Sequence, residues 1–315
     1  MSKAVPALFL AFVAAVLSYA FAHRVGAPKP ATEVRLDTTM VMSAAEAGAV
    51  RVAVGERGRL FRQEGVDKPW TTVKSPTEST LTRVRFLDDK RGLAVGHDQV
   101  ILRTADGGKV WRQVWIDKEA ETPLLDVIWI DAQRAVAIGA YGLYLESQDG
   151  GMTWASRFIL PEGEDRHLNA VTKLSDGTLI IAGELGTILR STDAGVTWNK
   201  VASPYEGSYF GAQAFGEGQV IVFGMRGKLM RSDDAGQTFT EVMHAVPTSL
   251  FGASVAPDGT LLVAGQSGEL LVSRDGAQTF TRIKVEGSPM LSAVLPGKSG
   301  ADTFGEKGLH VAATN

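Results

Sequence analysis

The stretch Ala182–Trp198, AGELGTILRSTDAGVTW, decides the fold of this chain because its pattern recurs along most of the sequence. It reads as the end of a short apolar strand, a glycine-bounded turn, a second strand and a tight turn that closes on an aromatic residue. Ala94–Trp111, AVGHDQVILRTADGGKVW, carries the same pattern. A repeat of this kind determines the architecture of the whole chain.

Two columns of residues define the repeat. A glycine follows the apolar strand seven times, and an aromatic residue follows that glycine about 15 positions later six times. The glycines are Gly55, Gly96, Gly139, Gly183, Gly224, Gly265 and Gly305; the aromatic residues are Trp70, Trp111, Trp154, Trp198, Phe239 and Phe280. A four-stranded unit of about 42 residues cannot bury both of its faces alone, but a ring of such units can. The sequence therefore predicts an all-β fold, a seven-bladed β-propeller with four-stranded antiparallel blades.

The seventh blade is predicted to be one strand short, because its aromatic residue would fall beyond Asn315. The segment Ala31–Leu36 precedes the first innermost strand and has no other assignment. We expect it to pair with the last blade as a closing strand, since closure removes the exposed edges of an open ring. The propeller would then span residues 32–315.

The first 22 residues form an export segment. Lys3 is followed by an uncharged apolar run that ends in Ala20-Phe21-Ala22, a pattern typical of a signal peptide cleaved before His23. The run also approaches the length of a membrane-spanning helix, so an uncleaved N-terminal anchor is the alternative. Residues 23–31 are read as a linker. Either reading predicts a periplasmic protein or one held on the outer side of the inner membrane.

Composition narrows the function classes. The net charge of −3 lacks the basic excess of nucleic-acid-binding proteins. The chain has no cysteine, and its five histidines lack the spacing of metal ligands. We expect no metal, no cofactor and no nucleic-acid partner, and we expect a monomer.

The tight turn carries the pattern S/T-x-D-x-G-x-T-W/F. Its copies centre on five aspartates that we interpret as structural: Asp106, Asp149, Asp193, Asp234 and Asp275. The carboxylate can accept hydrogen bonds from backbone N–H groups of its own turn while the aromatic ring packs inward. The motif is identified as the Asp-box, or bacterial neuraminidase repeat.

Across residues 32–315 the full pattern, A-V-G-x-x-G-x-I/L-L/Y-R-S/T-x-D-G-G-x-T-W, resembles the photosystem II stability and assembly factor-like propellers. Ala94–Trp111 and Ala182–Trp198 carry the resemblance best. It implies a non-enzymatic seven-bladed scaffold, on the lumenal or periplasmic side of a membrane, that helps to assemble an integral membrane complex. Nothing in the residues themselves identifies a photosystem as the partner.

The turns between second and third strands, together with the linkers between blades, form the predicted partner-binding surface, because binding residues concentrate on loops held by a rigid scaffold. Arginine suits carboxylates on a partner, and aromatic residues dominate binding hot spots. The candidates are Arg57, Arg83, Tyr141, Arg166, Tyr205, Arg226 and Lys307. The alternative is an ordinary solvated surface, since the acidic Glu56, Glu184 and Glu306 are interspersed. Phe210 and Phe251 are assigned to core packing.

A carbohydrate-binding or glycosidase propeller is the competing function, because the Asp-box is named after sialidases. Those enzymes resemble six-bladed rings with an early Arg-Ile-Pro segment, which this chain lacks. A glycosidase also requires two opposed carboxylates. The acidic residues of the turns and linkers are explained by exposure, so no catalytic residue is assigned.

Overall fold

The computed structural model describes residues 4–21, 35–287 and 289–314, which divide into two units, Met1–Val34 and Arg35–Asn315. The described residues of the first unit form one helix, α1 (Ala4–Phe21). Within the described residues, no helix combines the length and apolar character needed to cross a membrane. The cleavage site and the linker predicted for residues 23–31 lie outside the described residues.

The second unit is a mostly-β propeller of seven sheets. Its strands, grouped by blade, have the following bounds. Blade 1 contains β1 (Val41–Ala47), β2 (Val50–Gly55), β3 (Leu60–Glu64) and β4 (Thr71–Val73); blade 2 contains β5 (Leu81–Phe86), β6 (Gly92–Gly96), β7 (Ile101–Thr104) and β8 (Arg112–Trp115); blade 3 contains β9 (Leu124–Trp129), β10 (Ala135–Gly139), β11 (Tyr144–Ser147) and β12 (Ala155–Ser156); blade 4 contains β13 (Leu168–Lys173), β14 (Leu179–Gly183), β15 (Ile188–Ser191) and β16 (Asn199–Lys200). Blade 5 contains β17 (Tyr209–Phe215), β18 (Gln219–Gly224), β19 (Leu229–Ser232) and β20 (Thr240–Glu241); blade 6 contains β21 (Leu250–Val255), β22 (Leu261–Gly265), β23 (Glu269–Ser273) and β24 (Thr281–Lys284); blade 7 contains β25 (Leu291–Gly297), β26 (Gly300–Gly305) and β27 (Gly308–Ala313).

Each blade is an antiparallel meander whose second strand is the most deeply buried. The second strands β6, β10, β14 and β22 are buried along their whole length, which matches their continuous apolar sequence. Such a strand has a neighbouring blade on each face, so it does not show the alternation of a half-exposed strand. The core consists of clusters that lie between successive blades, each combining residues of two sheets.

Six blades have four strands, whereas blade 7 has three among the described residues. The predicted closing strand, Ala31–Leu36, falls largely outside the described residues, and its end is not a strand: Leu36–Thr38 is a 3-10 turn. This turn lies against the start of β27, where a Cβ added to Gly308 would be 2.1 Å from the Leu36 carbonyl oxygen. A closing strand is therefore not shown.

The described residues close the ring through contacts between blades 7 and 1. Arg51 on β2 is buried and forms an ion pair of 2.7 Å with Asp302 on β26; their side chains are 3% and 10% exposed. Ser292 donates a hydrogen bond of 2.5 Å to the Val41 carbonyl. Trp70 packs edge-on against Phe304, with ring centroids 5.7 Å apart. The ends of the chain are thus joined by a buried polar contact set among apolar ones.

We predict that Asp302→Ala lowers the free energy of unfolding by about 3–5 kcal/mol, because it leaves the Arg51 guanidinium buried without its nearest anion. Urea unfolding of the full chain measures this loss. Asp67→Ala is the matched control. Asp67 also pairs across the same two blades, with Lys298 at 2.7 Å, but these side chains are 62% and 73% exposed, so less than about 1 kcal/mol should be lost. Equal losses in the two variants would show that the buried pair does not close the ring.

Candidate partner-binding face

The glycine column marks a close backbone contact at the end of every second strand. A Cβ added to any of the seven glycines would lie between 1.9 and 2.4 Å from the carbonyl oxygen just before the innermost strand of the same blade. The next N–H donates a hydrogen bond to that same carbonyl, as in His97 N to Thr80 O at 2.9 Å and Glu184 N to His167 O at 3.0 Å. Only glycine permits this approach. Each turn is therefore fixed to the linker that enters its blade.

The second residue of each fixed turn presents its side chain on one face of the ring, which we call the turn face. The residues at this position are Arg57, Asp98, Tyr141, Leu185, Arg226, Ser267 and Lys307. The first six have φ between 50° and 61°, in the left-handed region. A side chain in this conformation costs about 1–3 kcal/mol relative to an unstrained position. Tyr141 and Leu185 are nevertheless 63% and 65% exposed, so burial of their side chains does not explain why glycine is absent there.

Four predicted partner-binding residues occupy this position on the turn face: Arg57, Tyr141, Arg226 and Lys307. All four are exposed. Arg57 and Lys307 belong to the adjacent blades 1 and 7, while Tyr141 and Arg226 belong to blades 3 and 5. The structure thus brings these residues to one face but distributes them around it rather than gathering them into one basic patch.

Arg166 and Tyr205 lie on linkers at the same face and are partly buried. The Arg166 carbonyl accepts a hydrogen bond of 2.9 Å from Gly142 in the turn of blade 3, and its Nε lies 3.5 Å from Glu164. The Tyr205 ring packs edge-on against the buried Tyr209 ring, with centroids 5.9 Å apart. Both side chains have structural contacts that leave only part of their surface available.

Arg83 lies inside the ring instead of on the turn face. It is the third residue of β5, with a side chain 17% exposed, and its Nε is 3.3 Å from Oδ1 of Asp126 on β9. Asp126 is fully buried and accepts a bidentate interaction from Arg85, together with hydrogen bonds from the backbone N–H groups of Val127 and Val171. Burial alone would raise the pKa of Asp126, but Arg85 and Arg83 outweigh it and hold that pKa below its usual value. The cluster joins blades 2, 3 and 4 at the axis.

Every innermost strand has a β-bulge at its second residue. The seven bulged residues form a ring, which we call the bulge ring and which was not predicted from the sequence. In each blade the first residue pairs with the glycine of the second strand, the third pairs with the residue before that glycine, and the second is skipped. The skipped residues are Met42, Thr82, Leu125, Asn169, Phe210, Phe251 and Ser292. Phe210 and Phe251 are half-buried and stacked on each other, with centroids 5.6 Å apart. Their assignment to core packing was wrong, because a bulge redirects a side chain.

The Asp-box turns lie on the opposite face and share one hydrogen-bond pattern. In blade 4, Ser191 donates to Asp193 Oδ1 at 2.8 Å, and the Thr197 N–H donates to the same oxygen at 2.9 Å. The Thr197 hydroxyl donates to Oδ2 at 2.6 Å. The turns of Asp106, Asp149, Asp234 and Asp275 repeat the central bonds. These carboxylates accept bonds within their own turns.

The fold is that of an Asp-box β-propeller, because its four-stranded blades repeat and its Asp-box turns lie on one face. The turn face on the other side carries varied side chains. The sequence matches the family described as Photosynthesis system II assembly factor YCF48 over residues 62–123 and 112–250, more than half of its length. The chain therefore belongs to this family, as the resemblance predicted.

The individual proteins that match this chain are distant relatives of it. The Photosystem II assembly lipoprotein Ycf48 of Prochlorococcus marinus (strain MIT 9312) is 35% identical over 140 residues, which are 44% of this chain and 41% of that protein. The chain matches less than half the length of the curated relatives. Among solved structures, "YCF48 bound to D1 peptide" superposes with a TM-score of 0.67 at 17% identity, covering 86% of this chain and 90% of that one. YCF48 from Cyanidioschyzon merolae gives 0.68 at 15% identity, covering 86% and 95%. These two similarities show the fold.

The Asp-box predicts a specific acid sensitivity. The hydroxyl and N–H of Thr197 lower the pKa of Asp193 to about 2, below the value near 3.9 of an unfolded aspartate. The stabilisation is therefore complete above about pH 5 and is lost as the pH falls towards 2. We predict that Asp193→Asn lowers Tm by a few degrees at pH 7 and that its difference from the wild type shrinks at pH 2–3. Calorimetry at both pH values measures this. Asp89→Asn, an exposed aspartate outside the motif, is the control, and a pH-independent effect of Asp193→Asn would contradict the prediction.

Proposed function

We propose that this protein is an exported, non-enzymatic scaffold whose turn face docks a segment of an integral membrane protein complex and assists its assembly. The carrying observation is that turns fixed in the same way present seven positions with six different residue types, and six of these positions are in a conformation that glycine would adopt at lower cost. A constant frame with varied exposed side chains is suited to recognising a partner.

Family membership supports this proposal, since the matched family is described as an assembly factor. The solved relative named as bound to a D1 peptide shows that a propeller of this fold can hold a peptide. By analogy, we propose that the partner segment of this chain is also a peptide-like region of a membrane protein.

The chemistry of the turn face indicates what that segment contains. Arg57, Arg226 and Lys307 are exposed cations, and Tyr141 is an exposed aromatic residue. Guanidinium groups bind carboxylates with two parallel hydrogen bonds, and an exposed tyrosine offers apolar area with little loss of side-chain freedom. We propose a partner segment that combines carboxylates with apolar side chains, with Arg166 and Tyr205 at its periphery.

The buried acid at the axis favours a scaffold over a hydrolase. A glycosidase needs one carboxyl group that stays protonated to donate a proton. Arg85 and Arg83 keep the pKa of Asp126 low instead, and both of its oxygens accept hydrogen bonds. Asp126 is suited to joining three blades.

We also propose export through the apolar segment of residues 1–22, which would place the propeller in the periplasm or on the outer side of the inner membrane. The apolar run and the small residues at its end support this assignment. The description of the Prochlorococcus relative as a lipoprotein agrees with association with a membrane.

Crosslinking in whole cells, followed by affinity capture and mass spectrometry, tests the docking surface. We predict that Arg57→Glu with Arg226→Glu reduces the recovery of the membrane partner at least about tenfold, because each reversal replaces an attraction by a repulsion. The matched control reverses Lys90 and Lys109, two exposed residues of the opposite face, and should leave recovery unchanged. Equal recovery from both double variants would reject the turn face as the docking surface.

For the ring itself, we propose that residues 31–34, the part of the predicted segment before the 3-10 turn, supply the fourth strand of blade 7. The position of the Leu36 carbonyl beside Gly308, at the start of β27, supports a segment that arrives along this edge. A strand there would pair the exposed edge of the last blade.

We predict that a variant lacking residues 23–34 unfolds at a lower urea concentration than the full chain, because the last blade loses its edge partner. A variant lacking only residues 23–30 keeps the segment and should unfold at the concentration of the full chain. If both deletions have the same midpoint, residues 31–34 do not close the ring.

A further inference from the structure

The bulge ring opens into a cavity of about 340 Å³ at the axial end of the turn face. The seven skipped residues come from all seven blades, and all of them line this cavity together with Met290 and Arg83. A volume of this size is at the lower end of the range for small-molecule sites. The cavity is therefore large enough for a small ligand and too small for a folded partner.

The polar residues of the bulge ring are used within the protein. Thr82 donates to the Leu124 carbonyl at 2.7 Å, and Asn169 donates to the Tyr209 carbonyl at 2.7 Å. Ser292 donates to the Val41 carbonyl across the ring closure. Each of these bonds links one blade to the next. The hydroxyl donors of Thr82 and Ser292 and one N–H of Asn169 are engaged, so the wall offers a ligand mainly the apolar surfaces of its other members.

Those other members are Met42, Leu125, Phe210, Phe251 and Met290, all half-buried. A cluster of large apolar side chains that stays partly open to solvent at the centre of a face is a binding feature rather than core. A wall made mainly of apolar side chains favours a ligand with a hydrocarbon chain or ring.

Arg83 is the one charged residue among the described residues that line this cavity. Its buried Nε makes no hydrogen bond to a described residue and lies 3.3 Å from Asp126 Oδ1 as an ion pair. The nearby Asp126 is shared with Arg85, which takes both carboxylate oxygens. Two guanidinium groups thus face one carboxylate. Burial lowers the pKa of Arg83, and Asp126 offsets this only in part. The positive charges of Arg83 and Arg85 therefore exceed the negative charge of Asp126 by one.

Arg83 and Phe251 also line a second cavity of about 360 Å³ further along the axis, where Glu46 and Arg85 are the other charged residues. Arg83 therefore lies between the first, apolar cavity, which we call the axial mouth, and the more polar second cavity. A ligand whose chain fills the mouth would place its head group at this guanidinium.

We propose that the axial mouth binds a small amphipathic carboxylic acid, with its hydrocarbon part against Phe210, Phe251 and Leu125 and its carboxylate on Arg83. This site is distinct from the turn residues that dock a partner. A buried guanidinium that lacks hydrogen bonds and shares its carboxylate with a second arginine is unfavourable, and a ligand carboxylate would reduce that penalty with charge-assisted hydrogen bonds. Hydrocarbon burial provides the remaining affinity.

Isothermal titration calorimetry of the full chain with octanoate, octan-1-ol and octylamine tests the proposal. We expect octanoate to bind about 10- to 100-fold more tightly than octan-1-ol, the range for a hydrogen-bonded charged group, and octylamine to bind most weakly. Arg83→Gln should abolish the preference for octanoate, and it corrects for partitioning into the apolar N-terminal segment. Arg226→Gln, an exposed cation of the turn face, should leave the preference intact.

Equal affinity for octanoate and octan-1-ol, or an unchanged preference in Arg83→Gln, would overturn the proposal. If Arg83→Gln does not fold, as judged by circular dichroism, Phe251→Ser takes its place. It should weaken octanoate and octan-1-ol to a similar extent, and unchanged octanoate affinity would overturn the proposal. Loss of partner capture in the Arg57 and Arg226 reversals with octanoate binding retained would separate failure of docking from failure of this site.

Discussion

The contact between a glycine and the carbonyl that precedes its own innermost strand controls the geometry of this propeller. It brings the end of the second strand against the linker, where a Cβ would collide, and the following N–H donates to the same carbonyl. This bond fixes the turn. It also aligns the first residue of the innermost strand with the glycine, while the regular ladder resumes only at the third residue. The second residue is left without a pair. One constraint therefore produces both the ring of turn residues on the turn face and the ring of skipped residues at the bulges.

The two rings differ in what their residues can do. Turn residues project into solvent, where a charged side chain interacts weakly unless a partner desolvates it. Bulge residues project towards the axis, where the walls exclude much of the water and a polar group must have a partner. Thr82, Asn169 and Ser292 meet that requirement by joining neighbouring blades. Arg83, one residue further along its strand, meets it only in part: its Nε makes no hydrogen bond to a described residue and lies 3.3 Å from an Asp126 carboxylate that also binds Arg85. The same fold thus offers a wide polar rim for a macromolecule and a narrow apolar centre for a small one.

The columns of glycine and aromatic residues were sufficient to predict the number of blades and their order, because each column reports a contact that every blade must make. They could not reveal the bulge, since a one-residue slip leaves no mark on a strand as short as β21. Phe210 and Phe251 were therefore assigned to the core from their hydrophobicity alone. Arg83 was placed with the surface cations from its charge alone. The direction of its side chain depends on its position relative to Leu81. Only the register supplies that information.

Departures from the repeat are more informative than the repeat itself. Arg51 and Asp302 form a buried pair in the two blades that close the ring, the one junction at which the chain does not continue, and the role of this pair follows from that location. The cluster of Arg83, Arg85 and Asp126 is at an ordinary junction between blades 2 and 3, which the backbone already connects. Ring closure therefore does not account for it. A second arginine at this place adds an unmatched buried charge, which is costly in the absence of an anion. An anion at the axis would relieve this cost, and the apolar side chains that line the cavity at Arg83 favour an anion carried by a hydrocarbon.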